Sequence, residues 1–187
     1  MNSYKALFKQ KFSNNEFSIV PIRFEDRMSI LKWRNEQLYH LRQEKPLTEA
    51  DQEKYFSTTV HKLFHQIKPT QILFSYLEDK TCIGYGGLVH INWTDKNAEV
   101  SFVMNTSLEQ NSFSKHWSNF LELLEKVAFE DLNFHKLSTY AFDLRPYLYT
   151  TLESAGYIRE ATLKEHCFFN GVYKDIIIHA KFNKNAT

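Results

Sequence analysis

The stretch Gln71–Asn105, QILFSYLEDKTCIGYGGLVHINWTDKNAEVSFVMN, decides the fold. Three runs within it, Gln71–Leu77, Thr81–Trp93 and Ala98–Asn105, are rich in β-branched and aromatic residues, which suit a pleated, half-buried surface. The links Glu78-Asp79-Lys80 and Thr94-Asp95-Lys96-Asn97 are short and polar. Together they predict an antiparallel meander joined by hairpin turns. Gly84, Gly86 and Gly87 all fall in the middle run, and glycine inside a strand marks a bulge or a close backbone approach.

Moving toward the C-terminus, Ser114–Glu130 is the clearest helix. Trp117, Phe120, Leu121, Leu124, Val127 and Ala128 recur on one face. His135–Phe142 reads as a strand and Pro146–Ala155 as a shorter helix, with Gly156 placed to end it. Asn170-Gly171 lies between the strand-like runs KEHCFF and VYKDIIIHAKF, a strong hairpin signal. Moving toward the N-terminus, Thr48 with Asp51 three residues on is a weaker form of the capping box. It opens a helix whose apolar stripe is Phe56, Val60, Leu63, Phe64 and Ile67. A helix from Glu25 to Leu41 precedes it, and Phe17–Arg23 is a short strand with Pro21 at its edge or end. The order is β-α-α-β-β-β-α-β-α-β-β. It is an α+β pattern with a mixed sheet, and the strands flanking the strong helix admit a parallel crossover.

Composition narrows the function. The chain has 187 residues, 23 basic and 22 acidic, for a net charge of +1. A polyanion-binding protein would carry a basic excess, so no nucleic-acid partner is expected. No apolar run approaches the length of a membrane span, and the start MNSYKALFKQKFSNNEFS has no signal-peptide core. Cys82 and Cys167 stand far apart, as in a reduced cytoplasmic protein. The polar ends, 1–16 and 183–187, read as a frayed extension and a frayed tail around one domain at 17–182.

Several local stretches resemble the GNAT superfamily of acyl-CoA N-acyltransferases, in particular its RimJ/RimL-like branch. Leu31-Lys32-Trp33-Arg34-Asn35 resembles the WRN element in branches that act on sugar amines. Ala98-Glu99-Val100 resembles the start of the family's central strand. Glu153-Ser154-Ala155-Gly156-Tyr157 resembles the end of its last helix, and Asn170–Asp175 (NGVYKD) its C-terminal hairpin. The resemblance implies a three-layer fold with helices on both faces of the mixed sheet. It also implies acetyl-CoA as acyl donor, and no metal.

Site residues follow from the same resemblance. Glu99 stands where relatives carry a carboxylate that takes the amine proton. The backbone of Phe102, Val103 and Met104 is expected to hold the cofactor's pantetheine arm. The family's pyrophosphate loop, Q/R-x-x-G-x-G/A, matches Gln110-Asn111-Ser112-Phe113-Ser114-Lys115, where Phe113 and Lys115 replace glycines. That substitution implies altered cofactor geometry or a lost cofactor site. Asp143 and Tyr147 belong to the matched stretch that opens the last helix and are assigned to the cofactor. Leu152 occupies the position of the family's usual general acid, a Tyr.

Other candidates come from residue chemistry. His166 titrates near neutrality when unperturbed and is a second base candidate. The resemblance implies that the first helix forms a wall of the acceptor site, which makes Trp33, Arg34 and Asn35 candidate acceptor contacts; Tyr85, His90 and Tyr173 are further candidates. An Arg there suits a phosphate or carboxylate. His61 and His65 have metal-ligand spacing on a helix, but no third ligand accompanies them, so a solvated helix face is the better reading.

The expected activity is acetyl transfer to a primary amine of a small molecule, with a nucleotide-linked amino sugar as first choice and a protein N-terminus as second. A non-catalytic GNAT-fold binding module is the alternative from a different class. A monomer or homodimer is expected.

Overall fold

The computed structural model describes residues 2–41 and 43–184. The meander at 71–105 is present. β3 (Ile72–Glu78), β4 (Thr81–Asn92) and β5 (Asn97–Met104) pair antiparallel, with Ile72 opposite Leu88 and Val89 opposite Glu99. A Cβ at Gly86 would overlap the Ser101 carbonyl oxygen, and one at Gly87 the Ile72 carbonyl oxygen. The glycines therefore let the three strands close up.

β1 (Phe12–Asn14) and β2 (Phe17–Pro21) extend the sheet on the β3 side. β6 (Lys136–Phe142), β8 (Val172–Phe182) and β7 (Ile158–Phe169) extend it on the β5 side, in that order. The β7–β8 hairpin turns through Asn170 (φ 49°) and Gly171 (φ 79°), both left-handed as this turn requires.

Among the described strands, only β5 and β6 pair in parallel. They share three residue pairs, Asn97–Lys136, Ala98–Leu137 and Glu99–Ser138. Beyond Glu99, β5 stays with β4 as far as Met104 and β6 stays with β8 as far as Phe142. The two strands diverge, and a gap opens in the sheet. Alternate backbone groups of Val100–Met104 face that gap without a strand partner.

Helices cover both faces. α1 (Arg27–Glu36) follows a short 3-10 turn at Phe24–Asp26. α2 (Glu49–Lys54) begins at the Thr48–Asp51 capping box. It continues through a π-helical segment, Tyr55–Val60, into α3 (His61–His65). On the opposite face lies α4 (Thr106–Glu125), extended by a π-helical segment, Lys126–Asp131. Its Phe120 stacks on Phe102 of β5 at 4.0 Å. α5 (Pro146–Ser154) packs beside it, its Thr151 hydroxyl 2.9 Å from the Ser114 hydroxyl.

Three expectations need correction. The N-terminal extension is not frayed. Tyr4 is 1% exposed, and its hydroxyl donates to the Leu73 carbonyl at 2.8 Å and accepts from the Leu73 N–H at 3.0 Å. Leu7 and Phe12 are also buried, and Asp131 accepts from the Phe8 and Lys9 N–H groups. At the other end, the Asn183 N–H donates to the His135 carbonyl; residues 185–187 lie outside the described residues. Ile67 is exposed, because α3 ends at His65 before the stripe reaches it.

The third correction bears on function. α4 starts at Thr106, not Ser114. Asn105 caps it, its side-chain oxygen accepting from the Ser107 N–H at 3.2 Å. No glycine or proline interrupts 106–131, so the helix forms without a break.

Candidate functional site

The gap between β5 and β6 opens into a cleft of about 590 Å³. Glu99 lies where the strands part, being in the last shared pair. One wall is α1, α2 and the π-helical turn after it, which present Arg34, Asp51 and Tyr55; the sheet contributes Tyr85, His90 and Ser101. The other wall is β6 and the head of α5, with Thr139, Tyr140, Phe142 and Arg145.

Arg34 is half-buried in the first wall. Its Nε and Nη2 donate to Gln43 Oε1 at 3.0 and 2.8 Å, and its Nη1 donates to the Tyr85 hydroxyl at 2.8 Å. Glu99, opposite Val89, and Tyr85, opposite Val103, share one face of the sheet because successive side chains alternate. Tyr55 stands close to Tyr85 and Arg34, and burial pushes its phenol up to about 12, so it is a neutral hydroxyl at working pH.

A buried charged cluster closes the second wall. Arg145 is 8% exposed and precedes α5. Its guanidinium lies 3.5 Å from Glu109 Oε1 and donates to His40 Nε2 at 3.2 Å. Burial, with the neighbouring Arg145 charge, holds His40 down to about 3, so it is a neutral acceptor. Burial also raises Glu109, an effect that Arg145 opposes.

The candidate residues separate into two groups. Glu99, Arg34, Tyr85, His90 and Phe102 line the cleft. Trp33 is core, and Asn35 is spent on the following loop, accepting from the Leu47 N–H and donating to the Leu47 carbonyl. Val103 and Met104 are buried in β5. His166 is exposed on β7, the edge strand, with its ring 6.3 Å from Tyr140 and outside the cleft lining. Tyr173 is 62% exposed beside Phe168 on the far hairpin. Asp143 accepts from the Tyr149 hydroxyl at 3.1 Å, and Tyr147 packs edge-on against Phe113.

Gln110–Lys115 do not form a loop. They lie inside α4, where their backbone N–H groups serve the helix. Phe113 is core, Ser114 meets Thr151, and Lys115 pairs with Glu16 at 3.0 Å. The positive end of α4 already has an anion nearby, since Glu36 accepts from the Thr106 hydroxyl at 2.7 Å. Sequence reading missed Arg145, His40, Tyr55 and Thr139. The first three reach the cleft through loops or a π-helical turn, with no local signal. The polar Thr139 within an apolar strand was the one legible clue.

The cleft suits the amide-bearing arm of an acyl-CoA. The backbone groups of Val100–Met104 facing the gap lack a strand partner, and the buried Thr139 hydroxyl has no hydrogen-bond partner in the fold. A buried polar group without a partner costs free energy, which a polar ligand atom recovers. Among the described residues no glycine-rich loop precedes α4, and Arg145 lines the wall at the head of α5. His61 and His65 are exposed with rings 4.9 Å apart, and no group of metal-binding side chains occurs among the described residues. Cys82 and Cys167 are both free thiols. No helix among the described residues is long and apolar enough to cross a membrane.

Comparison with solved structures places the fold. The chain superposes on spermidine N-acetyltransferase from Vibrio cholerae in complex with CoA and spermine with a TM-score of 0.80. The two are 19% identical, over 92% of this chain and 99% of that one. A dodecameric structure of spermidine N-acetyltransferase from Vibrio cholerae matches at a TM-score of 0.75 and 20% identity, over 91% and 95% of the two chains. No curated protein sequence matches the chain. A family profile described as the acetyltransferase (GNAT) domain matches residues 19–178. The split sheet, its flanking helices and this match over most of the sequence lead to one assignment: the chain belongs to the GNAT acetyltransferase domain family.

Proposed function

We propose that the chain is an acetyl-CoA-dependent N-acetyltransferase that modifies a primary amine on a small molecule. The observation that carries this reading is the gap between β5 and β6 with Glu99 where it begins. Bound acetyl-CoA supplies an activated acyl carbon; as the amine nitrogen bonds to it, the carbon–sulfur bond breaks and its electron pair leaves on sulfur. Glu99 takes the proton that the amine nitrogen sheds, directly or through a water molecule. Unpartnered N–H groups of β5 hold the amide arm and stabilise negative charge on the acyl oxygen. The Thr139 hydroxyl binds a polar atom of the same arm. Alignment of amine and acyl carbon in the cleft supplies the rest of the rate, and the chain needs no covalent nucleophile.

The WRN resemblance supports a nucleotide-linked amino sugar as acceptor. The solved structures named above are of spermidine N-acetyltransferase, which supports a small amine acceptor as a class.

A second reading, a binding module without catalysis, is favoured by the helical course of 110–115 and by Glu36 at the head of α4. Calorimetry with acetyl-CoA and with free CoA separates the two. Micromolar binding supports the enzyme. Absence of binding at millimolar ligand supports the module.

A further inference from the structure

We infer that the molecule entering the acceptor side of the cleft carries an anionic group, a carboxylate or a phosphate, and that Arg34 binds it. The inference rests on the acetyltransferase reading for the amine, and on the acceptor wall alone for the anion.

Charge is the first argument. Among the described residues, two arginines line the cleft, Arg34 and Arg145. Arg145 has its counter-charge in Glu109. Arg34 has no carboxylate partner among the described residues: its three donating nitrogens meet neutral oxygens, those of Gln43 and Tyr85. The two carboxylates that line the cleft among the described residues, Asp51 and Glu99, stand elsewhere. Asp51 accepts from the Thr48 N–H and hydroxyl at the capping box, and Glu99 lies at the strand junction. A half-buried guanidinium without a carboxylate is stabilised by any anion that reaches it.

Geometry is the second argument. Tyr85 and Gln43 fix the guanidinium plane while using three of its five N–H donors, leaving one hydrogen on Nη1 and one on Nη2. Two neighbouring donors in a fixed plane match two oxygens of a carboxylate or phosphate. Gln43 is itself held, donating to the Asn35 side chain and to the Lys45 carbonyl, so the fork is braced before any ligand arrives. Glu99 shares the sheet face with Tyr85, so one acceptor molecule is presented with a cation and a proton acceptor together. A polyamine offers only positive charge to this wall and is disfavoured by it.

The test has a binding arm and a turnover arm. Calorimetry compares glucosamine 6-phosphate, a nucleotide-linked amino sugar and an amino acid with glucosamine and spermidine, which carry no anion. At least one anionic amine is expected to bind at least 10-fold tighter than both. Arg34→Gln is expected to weaken it by about 10- to 100-fold, the range for a charge-assisted hydrogen bond. Arg34→Lys is expected to fall between, since it keeps the charge but loses the fork. Tyr85→Phe, which leaves the guanidinium in place, is a milder variant that is expected to weaken binding in the same order of ligands. Equal or tighter binding of spermidine, or Arg34→Gln binding every ligand as the unaltered protein does, overturns the inference. The anionic ligand that responds identifies whether phosphate or carboxylate is the source. Thiol release from acetyl-CoA with the same amines is read separately. Anion-dependent binding without thiol release preserves the inference and removes the acetyltransferase reading.

Discussion

The Arg145 guanidinium lies 3.5 Å from the Glu109 carboxylate, joining the residue before α5 to the first turn of α4. Both side chains are largely shielded from water. Removing one leaves the other charge buried and alone, which costs about 3 kcal/mol. Arg145→Met is therefore expected to lower unfolding stability by about that amount in urea titrations. Arg145→Met combined with Glu109→Leu is expected to recover much of the loss. An additive double variant would show that the two charges are not coupled.

His40 gives the fold a pH dependence of known sign. Its folded pKa is held down to about 3 against 6.5 for a free side chain, chiefly by burial and then by Arg145. The unfolded chain therefore binds the extra proton first. The contribution is complete above about pH 6.5 and is lost as the pH falls from there toward 3. At pH 5 the loss amounts to about 2 kcal/mol. The stability lost between pH 7.5 and pH 5 in urea titrations is expected to shrink by about 2 kcal/mol in His40→Gln, the remainder including His116 and His179, which burial also shifts down.

Glu99→Gln is expected to cut turnover by about 100-fold or more near neutral pH, the usual contribution of a general base. The deficit should shrink at high pH, where the amine arrives already deprotonated. A pH profile of kcat with a constant deficit would remove Glu99 from this role.

Tyr4→Phe leaves the buried Leu73 N–H without its acceptor, while the Leu73 carbonyl keeps the Ile22 N–H. The expected cost is about 1–3 kcal/mol, read as a lower Tm by calorimetry. Removing residues 2–11 should be more damaging still, because Tyr4 and Leu7 are part of the core.

The meander, the crossover and the last hairpin were legible because their signals are local. β-branched runs, short polar links and Asn170-Gly171 each act within a few residues. The capping box at Thr48 was legible for the same reason. Tyr4 was not, because its partners Leu73 and Phe64 come from distant segments and its own neighbours are polar. The start of α4 was misplaced for a different reason. Resemblance suggested a loop at 110–115, whereas the local sequence, Asn105 capping a run without glycine or proline, specifies a helix. In the cleft, Glu99 and Arg34 could be named from the family resemblance, and Tyr85 and His90 from their strand positions. Arg145 and His40 could not, since only the folded chain brings α5 to the turn after α1.

The three pairs joining β5 to β6 also have a mechanical meaning. Among the described residues, five strands lie on one side of that seam and three on the other, and no other ladder connects the two plates. A chain pulled between its N-terminal and C-terminal halves loads this seam with fewer strand pairs than β3–β4 or β6–β8 can offer. The sheet would part there first, and the fracture line runs through Glu99.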